Sequence, residues 1–344
     1  MKLRKTKIPK NKRNERYWKK RNKIEERYIK KRLSDDESFN QVLQQHFDKA
    51  QDEIQKEIDL QLYKLSTKNA IDITKVRGVV DNADIAEMER YAKRIVAKAN
   101  QMRSELGRNL SEQDFSKEVN DRMRLYNATM RINRLELVKS KIGMQTVELG
   151  LEINNEIKQK LNNDYQEQIK RQAGIMADDL PNLTNKDLKT AVKTVTATTG
   201  GVSFSKRVWG DMDGLKAELD VQLVNSFVQG ASVQAIAMKL RPYVSDKFKN
   251  KRYASERIAR TESARVDTQA TINSLERYGY DYCKWHAEPK ACDICQEIAQ
   301  ANPTGYGRGI YEVDKVPFLP AHPNCRCGIG AYWVEKVTEY PLFD

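Results

Sequence analysis

The stretch LYNATMRINRLELVKSKIGMQTVELGLEINNEIKQKL, residues 125–161, decides the fold class. Leu125, Ala128, Ile132, Leu135, Val138 and Ile142 recur at spacings of three and four, and Ile153, Ile157, Leu161 and Ile169 carry the face onward. That period belongs to an amphipathic helix. Proline is absent from here to Pro181, so the spacing predicts one very long helix or a helix pair beginning near Ser111-Glu112-Gln113-Asp114. A helix of this length acts as a spacer or packs in a bundle.

Upstream, Phe39, Val42, Leu43, Phe47, Ala50, Ile54 and Ile58 repeat the pattern. Ser34-Asp35-Asp36-Glu37 has the form of a capping box and predicts that this helix starts there. Another helix is expected over 82–106, closed by Leu106-Gly107. Downstream, the run Thr194 to Gly201 breaks the pattern and marks the clearest domain boundary. Leu215 to Phe227 then reads as a helix ending at Gly230. A short one follows, capped by Ser232 and stopped at Pro242, and a third runs from Ser255 to Arg277 before Gly279. The segment from Tyr280 onward is rich in Pro, Gly, Cys and aromatic residues and reads as a small loop-and-strand module. The expected architecture is mainly α: a basic arm (1–32), an extended long-helix region (33–180), a helical domain (181–279) and a Cys/His module (280–344) of α+β character.

Charge is unevenly placed. The 344 residues carry a net +13, and residues 1–32 hold 16 Lys or Arg against Glu15, Glu25 and Glu26, so the rest is neutral. Such an arm suits phosphate or an acidic protein surface. Its candidate DNA contacts are Lys10, Lys12, Arg13, Arg16, Lys19, Lys20, Arg21, Lys23, Lys30, Lys31 and Arg32, with little sequence preference because phosphate contacts do not read bases. Tyr17, Trp18 and Tyr28 could stack on exposed bases or anchor the helix by packing. With no long apolar run and no signal-peptide core, the chain is expected to be soluble, free of membrane and made in a cytoplasm.

All five cysteines lie near the C-terminus: Cys283, Cys292, Cys295, Cys325 and Cys327. Cys292-x-x-Cys295 followed by His322-Pro323-Asn324-Cys325-Arg326-Cys327 offers more than the four ligands of a structural zinc site. The expected holders are Cys292, Cys295, Cys325 and Cys327, with His322 as a replacement for one, and Cys283 or His286 as further substitutes. Buried reduced thiols, or a redox-sensitive pair, are the alternative. Asp293, Glu297 and Glu288 could serve as a base if the metal were catalytic. Gly305 to Gly309 reads as a turn, Arg260 and Glu262 as a surface or interdomain ion pair, and His46 as a packed histidine. No phosphate-binding loop or dinucleotide fingerprint is present.

Taken in order, Phe204-Ser205-x-Arg207-x-Trp209, Gln229-Gly230-x-Ser232-x-x-x-Ile236-Ala237, Arg260-Thr261-Glu262, Trp285 and the two Cys motifs resemble the Mu F-like head-morphogenesis family of phage minor head proteins. The resemblance spans about residues 180–330. The N-terminal half is similar, more loosely, to minor head proteins of phages of Gram-positive hosts. The resemblance implies a non-enzymatic virion protein of the capsid interior, acting in genome packaging or ejection. Its implied partners are the portal protein and double-stranded DNA, with scaffold or major capsid protein as further candidates. A zinc-dependent nuclease or hydrolase acting on DNA is the competing function. The helices flanking Gly230 also resemble a helix-turn-helix, although Gln234 and Lys239 are its only obvious polar readers.

Overall fold

The computed structural model describes residues 8–68, 70–105, 115–177, 184–228 and 232–334. Helices dominate, as the periodicity predicts. In chain order they are α1 (Glu15–Lys64), α2 (Ile73–Val76), α3 (Asn82–Glu105), α4 (Phe115–Thr129), α5 (Arg134–Met176), α6 (Asn185–Thr196), α7 (Phe204–Val228), α8 (Val233–Tyr278) and α9 (Asp293–Gln300). The strands are β1 (Ser66–Thr67) and β2 (Ala70–Ile71), which pair as a small hairpin, and β3 (Tyr282–His286), β4 (Ile310–Glu312) and β5 (Gly328–Tyr332). The last three form an antiparallel sheet in the order β4-β3-β5.

The chain divides into two compact units, each assembled from separate segments. One comprises 1–38, 159–195 and 257–344, the other 39–158 and 196–256. These units are discontinuous in sequence, whereas the regions expected from composition run linearly with boundaries at 32, 180 and 279. One unit boundary, after Val195, does fall within the Thr-rich run.

Two helix ends depart from the sequence reading. The chain does not restart at Ser34: α1 runs unbroken from Glu15. Ser34 is an exposed interior residue whose carbonyl accepts from Ser38 Oγ, and Asp36 turns inward to ion partners. Pro242 likewise lies inside α8, which joins the two helices expected on either side of it. Proline removes the N–H that would meet the Met238 carbonyl. That turn faces water, with Met238 largely exposed, while Leu240, Val244 and Phe248 are buried and hold the helix in place. The short second member of a helix-turn-helix therefore does not exist as a separate element. Of the two forms expected for the long pattern, the helix pair is the one present: Met130–Asn133 separate α4 from α5, and Leu125 and Ile132 are exposed while Tyr126, Met130, Leu137 and Val138 are buried. Leu106-Gly107, Ser111–Asp114 and Gly230 lie outside the described residues.

Other expectations hold. Ile153, Ile157, Leu161 and Ile169 are all buried, as are Leu43, Phe47, Ala50, Ile54 and Ile58. Ser232 Oγ accepts from the Ala235 amide as a helix cap. Gly279 closes α8 with φ of 76°, and the Tyr280 amide donates to the Leu275 carbonyl, the six-to-one bond of a Schellman ending.

In the second unit, α3, α4 and the start of α5 enclose a core of Met88, Ile95, Val119, Met123, Leu137 and Val147, with Trp209 of α7. Gly150 lets Trp209 and Met212 approach α5 closely, since a Cβ there would sit 2.8 Å from the indole. His46 is half-buried and held by carboxylates. Its Nδ1 lies 3.0 Å from Glu152 and its Nε2 3.7 Å from Glu156, and Glu152 also meets Lys98. Hydrogen bonds to Glu152 and Glu156 raise the His46 pKa to about 9. A histidine whose folded pKa is raised contributes stability that is full below about pH 6.5 and lost as pH rises through about 9. With partial exposure weakening the pairs, the expected loss is about 1 kcal/mol. Urea unfolding of the wild type and His46→Gln between pH 6.5 and 10 checks this: the stability difference between them should shrink as pH rises, and a constant difference would refute it.

Candidate metal centre and nucleic-acid interface

In the first unit, β3 is the central strand of the C-terminal sheet. Cys283 opposes Tyr311 and Ala331, and Trp285 opposes Ile329, so alternate side chains enter a core shared with Trp18, Leu275, Tyr280 and Leu319. Burial pushes the Cys283 thiol up to about 12, which makes it an inert core residue. His286 is buried too, and desolvation lowers its pKa to about 3, so it is neutral. Neither joins the other cysteines, which removes both from the set of substitute ligands.

The ligand cluster comes from two short elements. Cys292 sits at the N-cap of α9 and Cys295 in its first turn, so the two-residue spacing places both sulfurs at one helix end. The second element is a turn in which the Cys325 amide donates to the His322 carbonyl and Asn324 adopts φ of 69°, a left-handed conformation that Asn tolerates. His322 Nε2 lies 3.2 Å from Cys292 Sγ and 3.4 Å from Cys295 Sγ, and Cys295 Sγ lies 3.7 Å from Cys325 Sγ. Two overlapping groups, Cys292-Cys295-His322 and Cys295-Cys325-Cys327, each bring three donor atoms within 4.8 Å and could hold a metal ion. His322 Nδ1 is 2.8 Å from the Pro323 carbonyl, to which it must donate, leaving the Nε2 lone pair directed at the sulfurs.

The thiols constrain one another. Hydrogen bonding from Cys327 holds the Cys325 pKa down to about 5, whereas burial and the Cys325 charge push Cys295 up to about 12. Cys327 is also raised, chiefly through its hydrogen bond to Cys325. Sulfurs this close do not all ionise unaided, and a divalent cation bound among them would supply the charge that permits it.

Arg260-Thr261-Glu262 on α8 forms the platform for this module. Arg260 donates to Glu288 at 2.7 Å, and Thr261 Oγ1 accepts from the Asn324 amide at 2.9 Å. Glu288 also accepts from the Arg326 amide, while its own amide donates to Cys327 Sγ. Glu262 pairs with Arg265 instead of Arg260 and is buried. With its carboxylate occupied at both oxygens, Glu288 is a positioning group and a poor general base; Asp293 and Glu297 are exposed.

The basic arm is folded helix from Glu15 onward. Trp18 is fully buried, donates Nε1–H to the Lys12 carbonyl and meets Tyr280 edge-on at 5.3 Å. Tyr17 donates to the Ile175 carbonyl, and Tyr28 lies under the Arg171 guanidinium. These aromatics are packing anchors, which overturns the base-stacking alternative. Two proposed DNA contacts are also corrected. Lys12 is buried and donates to the Ala177 carbonyl, and Arg32 is buried among Asp164, Asp267 and Ser263. Arg21 is partly buried against Glu25, and Lys19 pairs with Glu15 at the surface.

What remains outward is ordered. Arg16, Lys20, Lys23, Lys30 and Lys31 are exposed, as are Lys10 and Arg13. Arg27, missed in the sequence reading, completes the row. Steps of four, three, four and three residues from Arg16 to Lys30 place these cations on one helix face about 22 Å long. Among the described residues none of these six, Arg16 through Lys31, makes an ion pair. Extending the helix count through the charged segment would have found Arg27. Among the described residues no helix is long and apolar enough to cross a membrane.

No family model matches the chain, no curated protein matches it, and no solved structure matches it.

Proposed function

We propose that this protein is a non-enzymatic minor head protein of a phage, stabilised by a structural zinc ion and contacting packaged double-stranded DNA through the outward face of α1. The observation that carries the reading is the two-sidedness of that helix. Trp18, Asn22, Glu25, Ile29, Arg32 and Asp36 are buried on one side, and Arg16, Lys20, Lys23, Arg27, Lys30 and Lys31 face out on the other. A solvated tail would need no such anchoring.

Zinc is supported by donor chemistry and spacing. Ligand distances of about 2.3 Å for sulfur and 2.0 Å for imidazole nitrogen put tetrahedral neighbours roughly 3.5–3.8 Å apart. The sulfur and nitrogen separations of 3.2, 3.4 and 3.7 Å come close to this and favour Cys292, Cys295, His322 and Cys325 as ligands. Cys327, bonded to the Glu288 amide, is then the spare thiol. Four such ligands close the site to water, which favours a structural ion over the hydrolase alternative. The place at the portal, within head assembly and genome packaging or ejection, is supported by the ordered motifs from Phe204 to Cys327. Scaffold or major capsid protein would be secondary partners.

DNA binding is tested by a salt series. If α1 neutralises about four phosphates, the binding constant falls about 100-fold between roughly 50 and 200 mM salt. Replacing the six outward cations by Gln should abolish most of that dependence. An unchanged slope would show that α1 is not the DNA-contacting element. Mass spectrometry of virions and procapsids tests the head assignment, and absence from both refutes it.

A further inference from the structure

Arg326 stands between two cysteines of the thiol cluster, yet its side chain leaves that cluster. It is 3% exposed and reaches the inner face of α1, with Nε 3.0 Å and Nη2 3.2 Å from the Asp36 carboxylate. On α8 it meets Asp267 at 3.1 Å and Ser263 at 2.9 Å. The same Asp267 oxygen accepts from Arg32 of α1 at 3.2 Å, so one carboxylate joins the two arginines. Immediately beyond, β5 lies against α1 through residues without side chains. A Cβ on Gly328 would touch Ile29, and one on Gly330 would come 3.2 Å from Glu25 Cγ. A cavity of about 40 Å³ borders this contact, lined in part by Tyr28, Arg32, Asp267, His286 and Arg326. Asp267 Oδ1 and His286 Nε2 are buried without hydrogen-bond partners.

We infer that Arg326 is a positioning residue that couples occupancy of the metal centre to the ordering of the basic helix. A metal held by cluster residues on both sequence elements fixes the backbone on which Arg326 is carried. A long guanidinium side chain loses substantial freedom when confined, and a backbone already fixed reduces what remains to be lost. Without the metal the 322–327 turn keeps its hydrogen bonds to Thr261 and Glu288, a weaker tether, and the adjoining cavity gives the guanidinium room to leave Asp36. The α1 segment from Glu15 to Ser38 then loses its partner from the C-terminal module. The effect on α1 stands on these contacts alone. Its consequence for DNA rests on the proposed function, and there linkage requires that DNA tighten metal binding by the factor by which metal tightens DNA binding.

The test is hydrogen exchange of the full chain, with zinc stoichiometry measured on the same sample. Chelation should speed exchange across residues 15–38 by about tenfold, re-addition of zinc should restore protection, and α3 should serve as the unaffected control. Arg326→Gln should retain one zinc while losing the response of residues 15–38, and Asp36→Asn should do the same from the other side of the contact. If either variant fails to fold, the wild-type comparison decides. Bound zinc with identical 15–38 exchange before and after chelation overturns the inference alone, as does a full zinc response in both variants. Absence of bound zinc overturns it together with the zinc reading. A zinc-responsive α1 that does not bind DNA upholds the inference and defeats the DNA reading.

Discussion

Paired substitution of Cys292 and Cys295 by Ser should release the metal and unfold the C-terminal module, making residues 280–334 sensitive to protease. The sheet is small, with strands of five, three and five residues. Three short strands hold together only with a hydrophobic face to pack against. Here that face is built partly from the cluster itself, because Cys295, Cys325 and Cys327 belong to the same buried group as Trp285, Tyr311 and Ile329. Opening the site therefore removes both the cross-link between α9 and the 322–327 turn and part of the core. Structural zinc contributes about 10–16 kcal/mol in small zinc-dependent domains, more than the about 5–15 kcal/mol by which most proteins are stable at all. Trp285, 1% exposed, reports the change by fluorescence. Cys283→Ala is the control, since Cys283 lies in the core outside the cluster and its loss should cost only about 1 kcal/mol. If the paired variant keeps Trp285 buried and the module protease-resistant, the cysteines are a reduced packed core and no metal is needed.

How much of this was legible in advance depended on the range of the interaction. Local signals read correctly: the three-and-four spacing of Ile153, Ile157 and Leu161, the cap at Ser232, the stop at Gly279, and the clustering of Cys292-x-x-Cys295 with His322, Cys325 and Cys327. Each depends on neighbours within a turn or two, or on a donor set with few alternative uses. Errors arose where a distant partner outweighed a local preference. Ser34 to Glu37 has the residues of a helix start, but Asp36 is claimed by Arg326, 290 positions away. Pro242 reads as a stop, but the helix around it is held by buried Leu240 and Val244. Arg32 closes a basic run and looks like its neighbours Lys30 and Lys31. Nothing local distinguishes a cation that faces water from one that faces Asp164 and Asp267.

That distinction has a large energetic signature. Arg32→Met should destabilise the protein by about 3–5 kcal/mol, because a buried charge stripped of its partner carries its full desolvation cost. The cluster is balanced. Arg32, Arg326 and Lys160 face Asp36, Asp164 and Asp267, with Arg32 Nη2 2.6 Å from Asp164 and Lys160 2.9 Å from the same residue. Burial already raises the Asp267 pKa to about 6, against the pull of Arg32 and Arg326. Removing Arg32 takes away the largest of the three cationic pulls, from Arg32, Arg326 and Lys160, that keep Asp267 charged, so its carboxyl should hold its proton to higher pH in the variant. Because the folded wild type releases this proton near pH 6 while the folded variant keeps it to higher pH, the deficit should be constant below about pH 6 and widen as pH rises above it. Lys30→Met with Lys31→Met, made on exposed neighbours in the same turn, should change stability by under about 0.5 kcal/mol while lowering the salt dependence of DNA binding. Urea unfolding of both variants separates the roles. Equal, small losses for Arg32→Met and the Lys pair would return Arg32 to the outward face and dissolve the distinction drawn between the two sides of α1.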